Sequence, residues 1–232
     1  MSDYEVHAGD AGPADSLPLS LPSMRVRYTP GPLLEADVET SPFVQVRRWL
    51  AEALRAGVPE PNAMVLSTAG VSGEVSSRHV LLKELDDLGF VFYTNHSSRK
   101  AAQIAERPYA SLCFPWYAMS RQVNVEGTVT LLDRASVEQY WHQRPRESQL
   151  GAWASEQSRP VASREALHAQ LAEVSRRFGD GAAIPVPEQW GGYRVVPHRV
   201  ELWQGQPGRL HDRLVYLREE IGGGWRLVRL QP

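Results

Sequence analysis

The chain has 232 residues, and its 25 Lys and Arg nearly balance 27 Asp and Glu, giving a net charge of −2 at pH 7. That balance excludes the broad basic surface that holds nucleic acid or an anionic membrane, so any anion must be bound by a local cluster of cations. No apolar run nears the roughly 20 residues needed to span a bilayer, and the single Cys113 excludes an intrachain disulfide or a multi-cysteine zinc site. Both features predict a protein of the reducing cytoplasm.

Residues 1–24 lack Lys and Arg, carry several Ser, Pro, Gly and Ala, and have no apolar core of a signal peptide. They read as a disordered tail in front of a single domain over 25–232. Pro42 to Ala56 is predicted as the first helix, with Ser41 as its N-cap, Pro42 in the first position and Gly57 beyond its end. Phe43, Val46, Leu50 and Leu54 make its apolar stripe. The period then shortens to two. Ala63 to Thr68, Val75 to Leu85, Phe90 to Asn95, Ala110 to Trp116 and Gln122 to Leu132 are β-branched or aromatic runs, broken by Gly, Asp or Pro, that read as antiparallel strands. Helices are expected over Ser97 to Arg107, Ala135 to Gln143 and Ser163 to Phe178, the last with Leu167, Leu171, Val174 and Phe178 turned inward. Strands over Tyr193 to Trp203, Arg209 to Arg218 and Trp225 to Leu230 complete the chain. Seven or eight strands without regular βαβ alternation predict an α+β domain built on a barrel-like antiparallel sheet with peripheral helices.

Four cation clusters punctuate these elements. Ser97-Ser98-Arg99-Lys100 falls where a strand gives way to a helix, so free N–H groups, hydroxyls and cations can converge on a phosphate; a Ser cap with two solvated cations reads equally from the tetrapeptide. Arg144-Pro145-Arg146-Glu147-Ser148 follows a helix ending Tyr140-Trp141-His142, and fits either a second anion site or solvated charge at a helix end. Strand periodicity places Arg209, His211 and Arg213 on one face, facing an anion or electron-rich group, or guarding an exposed edge. Arg78 and Lys83 fall on opposite faces of a regular strand, so serving one pocket requires a bulge or action at its two ends. Gly191-Gly192 and Gly222-Gly223-Gly224 read as turns, since no phosphate-loop spacing accompanies them.

Taken in order, Arg78-His79-Val80-Leu81-Leu82-Lys83, Phe92-Tyr93-Thr94-Asn95, Ser98-Arg99-Lys100, Phe114-Pro115-Trp116, the run from Arg144 to Trp153 and Arg209-Leu210-His211-Asp212-Arg213 resemble the pyridoxine/pyridoxamine 5'-phosphate oxidase family over about Arg25 to Pro232. The resemblance implies an FMN-binding split β-barrel that works as a homodimer with flavin at the interface. It implies that Arg78, Val80, Leu81, Leu82, Lys83, Tyr93, Thr94, Arg99, Lys100 and Gln122 bind FMN, with Gln157, Ser158, Trp203 and Arg213 completing the flavin site. It further implies that Lys83, Tyr140, Arg144 and Ser148 hold the substrate phosphate and that Arg209 and His211 lie against the reacting carbon and the pyridine ring. Arg25 and Tyr28 match a segment that closes over the substrate, although Arg27 stands where the family usually has an acidic residue. The implied reaction passes hydride from pyridoxine or pyridoxamine 5'-phosphate to the flavin and then to oxygen, giving pyridoxal 5'-phosphate and hydrogen peroxide, with no metal. A sister flavin oxidase, as in phenazine biosynthesis, and a non-catalytic flavin or pyridoxal phosphate carrier are the alternatives.

Overall fold

The computed structural model describes residue 28 and residues 31–181 and 183–232. The expected tail, and Arg25 with it, lie outside the described residues. Helix α1 (Pro42–Arg55) starts after Ser41 and buries Phe43, Val46, Trp49 and Ala53, while Leu54 points outward. The predicted stripe is therefore rotated by one residue, because Trp49 offers more apolar area than Leu54 and docks edge-on to Trp116.

Nine strands form one antiparallel sheet among the described residues. They are β1 (Ala63–Ala69), β2 (Val75–Leu81), β3 (Glu84–Leu85), β4 (Phe90–Asn95), β5 (Tyr109–Trp116), β6 (Arg121–Leu131), β7 (Trp190–Gln204), β8 (Asp212–Leu217) and β9 (Arg226–Arg229). The order is β2-β1-β5-β6-β7-β4-β3, with β8 on β7 and β9 on β8. Alternation sets the faces: Met64, Leu66, Leu112, Phe114, Val123, Val125, Leu202 and Leu214 are buried in the core. Their neighbours Val65, Ser67, Cys113 and Asn124 stay half-exposed on the outer face. Long β7 is shared, its first half pairing with β4 and its second with β8, and β6 runs along its other edge.

The remaining helices are α2 (Arg99–Glu106), α3 (Arg134–Trp141), α4 (Arg146–Ala154) and α5 (Arg164–Phe178). α3 is capped by Asp133, whose carboxylate accepts the Ser136 N–H at 2.7 Å. A second apolar cluster of Val137, Trp141, Ile184 and Trp190 packs beneath α3.

Several expectations need correction. The run from Val75 to Leu85 is two strands, since the chain turns out of β2 at Leu82, whose N–H donates to the Asn62 carbonyl, and rejoins the sheet at Lys83, whose N–H donates to Val91. α4 was not expected; Pro145 as N-cap and Glu147 in the first turn start it. No residue of α5 is buried, and Leu167 and Leu171 are exposed. Gly191 and Gly192 lie inside β7, not in a turn, because the rings of His96 and Tyr93 fill the space a side chain there would need. Gly222 does turn the chain, with φ 85°.

Gly127 sits at the irregularity where β6 shifts register on β7, and a Cβ there would lie 2.3 Å from the Val196 carbonyl oxygen. Gly127→Ala should therefore cost about 1–3 kcal/mol in urea unfolding, the usual penalty of overpacking. Unchanged stability would mean that the two strands do not approach so closely.

Candidate functional site

The break after β2 resolves the parity problem of the basic string. Arg78 leaves from the inner side of β2, opposite Leu66, and Lys83 from beyond the strand end, yet both line one cavity of about 740 Å³. Val80, Leu81, Tyr93, Thr94, Arg99 and Lys100 also line it, as do Tyr140, Arg144, Ser148, Gln157 and Ser158. Leu82 does not: it is buried in the core.

One end is built at the start of α2. Ser98 is the N-cap residue but makes no side-chain cap, and the first turn holds Arg99 and Lys100 with no acidic residue. Cations at a helix N-terminus oppose the helix dipole, so this turn is suited to an anion that would supply the missing partner. Lys100 donates to Gln157 Oε1 at 2.8 Å and Thr94 Oγ1 at 3.1 Å. Burial, with Arg78 beside it, lowers its ammonium to about 8. Arg78 is likewise lowered by burial and by Arg99.

The other end forms at the tight junction of α3 and α4, where Gln149 of α4 donates to the Trp141 carbonyl at 2.8 Å. Arg144 lies in the junction rather than on the helix with Tyr140. Its guanidinium sits 4.8 Å from the Trp190 ring and donates to the Ser148 carbonyl at 2.9 Å, while its buried Nε has no partner. Burial lowers Arg144 as well, against a smaller raising effect of Tyr140. Tyr93 stacks with Tyr140 (4.1 Å) and with Trp190 (5.3 Å), and its hydroxyl donates to Glu84 at 3.0 Å.

No Asp or Glu lines the cavity, and none of Arg78, Lys83, Arg99, Lys100 and Arg144 forms an ion pair among the described residues. Unpaired cations that are partly desolvated favour an anionic ligand. Two groups of them, at separate helix junctions, suit a cavity shared by two phosphates.

The remaining expected site residues lie elsewhere. Gln122 of β6, Trp203 of β7 and Arg213 of β8 are cross-strand partners and form a row on the outer face. Arg213 is gripped by buried Glu201 through two bonds of 2.7 and 3.1 Å. His211 and Tyr28 pack on Trp203, at 4.7 and 5.8 Å. The Gln206 N–H donates to His211 Nδ1 at 3.0 Å, which places the proton of the neutral ring on Nε2. Arg209, His211 and Arg213 do not share a strand face: Arg209 ends a turn at φ 64° and β8 begins only at Asp212. A left-handed non-glycine residue costs about 1–3 kcal/mol, which the Pro207-Gly208 turn imposes. Trp203 stands thirteen positions along β7 from Trp190, at the cavity, and none of Gln122, Trp203 and Arg213 lines the cavity.

Two further residues at the site were not anticipated. Glu84 meets the Tyr93 hydroxyl and Trp190 supports Arg144; in sequence, one is a carboxylate beside Lys83 and the other an aromatic before two glycines, neither distinctive.

The curled sheet and cation-lined cavity define a split-barrel protein whose cavity is suited to anionic ligands. A family model described as pyridoxamine 5'-phosphate oxidase matches residues 50–178, and one described as the pyridoxine 5'-phosphate oxidase C-terminal dimerisation region matches 190–232. The chain is 53% identical over 209 residues to the pyridoxine/pyridoxamine 5'-phosphate oxidase of Acidothermus cellulolyticus, covering 89% of this chain and 93% of that one. It is 46% identical to the chloroplastic oxidase 1 of Arabidopsis thaliana, covering 92% of this chain and 41% of that one. PhzG from Burkholderia lata, solved in complex with tetrahydrophenazine-1-carboxylic acid, superposes with a TM-score of 0.80 at 35% identity, over 86% of this chain and 98% of that one. The chain thus belongs to the pyridoxamine 5'-phosphate oxidase family, a family of flavin-dependent oxidoreductases. No helix among the described residues is long and apolar enough to cross a membrane.

Since Lys100 binds an anion only when protonated, sulfate, whose own charge is constant here, should bind about tenfold more weakly at pH 9 than at pH 7. Calorimetric titration measures this, and Lys100→Arg should flatten the profile. A flat profile in the wild type would remove Lys100 from the anion site.

Proposed function

We propose that the protein is an FMN-dependent oxidase that converts pyridoxine 5'-phosphate or pyridoxamine 5'-phosphate to pyridoxal 5'-phosphate, acting in the cytoplasm through one domain over 25–232. The observation that carries this reading is the carboxylate-free cavity with two cation groups, one for each phosphate. Arg78, Arg99 and Lys100 at the start of α2 take the flavin phosphate, aided by Thr94, Gln157 and Ser158. Lys83, Tyr140, Arg144 and Ser148 take the substrate phosphate. When bound, FMN accepts two electrons from the substrate and passes them to oxygen, giving hydrogen peroxide.

Gln122, Trp203 and Arg213 form a row that does not line the cavity of its own chain, and we assign that row to the cavity of a second copy. The half-exposed outer face around Val65, Cys113 and Asn124 offers the surface on which two copies meet. A C-terminal region of the dimerisation type, residues 190–232, supports this arrangement. His211 and Arg209 would then reach the substrate across the interface, with Tyr28 packed edge-on against His211. His211 presents its Nε2 proton outward as a hydrogen-bond donor, because Nδ1 is held by Gln206. Arg209 supplies a fixed cation on a rigid turn.

A sister oxidase acting on a phenazine precursor has no need of the Arg144 group. Arg144 and Ser148 bind a phosphate remote from the reacting carbon, so Arg144→Ala should raise KM for pyridoxine 5'-phosphate ten- to a hundredfold with little change in kcat, the loss of one charged contact of about 1.5–3 kcal/mol. His211→Ala should mainly lower kcat. Oxygen uptake with the purified yellow protein measures both. Equal turnover of pyridoxine and its phosphate, or an unchanged KM in Arg144→Ala, would favour the sister oxidase; flavin binding without oxygen uptake would favour the carrier.

A further inference from the structure

Arg78 is held by Ser76, at the cavity wall, and from behind by Thr68 and Gln103, which do not line the cavity. Its Nη1 donates to Thr68 Oγ1 at 2.6 Å and the Leu66 carbonyl at 3.3 Å, and its Nη2 donates to Ser76 Oγ. Both hydroxyls in turn donate to one atom, Oε1 of Gln103, at 2.7 Å each. The Gln103 amide nitrogen donates to the Glu74 carbonyl at 3.3 Å, which fixes which end of the amide faces the hydroxyls. Thr68 is 3% and Gln103 8% exposed, and neither lines the cavity.

The direction of these bonds matters. An amide oxygen only accepts, so each hydroxyl must spend its hydrogen on Gln103 and turn its lone pairs toward Arg78. Every hydrogen-bond partner of Arg78 among the described residues is neutral, so the guanidinium is oriented without being neutralised. Arg213 is treated differently, since the Glu201 carboxylate both orients and neutralises it. Gln103 also sits one helical turn after Arg99 on α2, so one buried amide ties the strand pair carrying Arg78 to the helix carrying Arg99 and Lys100.

We infer that Gln103, acting through the hydroxyls of Thr68 and Ser76, is a positioning residue that aims Arg78 at the flavin phosphate and sets its spacing from the α2 cations. The inference rests on the reading of Arg78 as a phosphate ligand given above. It is tested by flavin binding rather than turnover. Dissociation constants for FMN and for riboflavin, which lacks the phosphate, are measured by quenching of flavin fluorescence for the wild type, Thr68→Val, Gln103→Leu, Arg78→Ala and the two double variants containing Arg78→Ala.

Thr68→Val and Gln103→Leu should each weaken FMN about tenfold and leave riboflavin unchanged, and neither should weaken FMN further once Arg78 is alanine. Thr68→Val keeps the side-chain volume and carries the test if Gln103→Leu does not fold. Losses that persist beside Arg78→Ala, or that fall equally on riboflavin, would show mere support of the fold and overturn the inference. So would undiminished FMN binding in Thr68→Val and Gln103→Leu while Arg78→Ala is weakened. If Arg78→Ala itself binds FMN normally, the assignment of Arg78 fails and this inference falls with it.

Discussion

Positive charge without a carboxylate partner is the constraint on which the rest of the site depends. Arg78, Lys83, Arg99, Lys100 and Arg144 line one cavity from which Asp and Glu are absent, in a chain whose overall charge is slightly negative. Elsewhere the same chain pairs its arginines: Arg121 with Glu52, Arg194 with Asp86, Arg229 with Glu35 and Asp212. Like charges brought together and partly desolvated work against folding, so the fold must hold them by other means. It uses neutral oxygens: Thr94 and Gln157 for Lys100, Thr68 and Ser76 for Arg78, the Ser148 carbonyl for Arg144. The result is a cavity oriented in advance for phosphate, whose charges remain available to it.

The sheet accounts for the division between cavity and outer row on which the proposed two-copy site rests. β7 contributes at both of its ends, Trp190 under Arg144 and Trp203 in the outer row. Inward positions of β6, β7 and β8 are filled by Val123, Leu202 and Leu214, which commits Gln122, Trp203 and Arg213 to the outer face. The alternation that builds the core thus also builds the outer row, which the proposed function assigns to a partner's site.

Much of this was legible in the sequence where a local rule governs. The strand runs, the α1 boundaries and the helix beginning at Arg99 follow from period, Pro and Gly. The family resemblance named many of the residues that the cavity gathers between Arg78 and Ser158, and also Leu82 and Gln122, which do not line it. What failed was non-local. Leu54 lost its inward place to Trp49 because packing against Trp116 decides the rotation of α1. Parity alone left open how Arg78 and Lys83 share a pocket, which the chain's exit from the sheet at Leu82 decides, and it misplaced Arg209, which ends the Pro207–Arg209 turn instead of starting a strand. Gly191 and Gly192 looked like a turn because their real purpose, making room for His96 and Tyr93, involves residues nearly a hundred positions away. The Gln103 network has no sequence signal, since its members are ordinary polar residues of three separate elements.

The central claim is that each working site joins the cavity of one copy to the outer row of another. Co-expression of two inactive variants tests it, one with Arg99→Ala and Lys100→Ala in the cavity, the other with His211→Ala and Arg213→Ala in the row. In a mixed dimer one site would inherit both defects and the other neither, so random pairing should restore about a quarter of the wild-type oxygen uptake with pyridoxine 5'-phosphate. No recovery, with mixed dimers shown to form, would mean that cavity and row act within one chain.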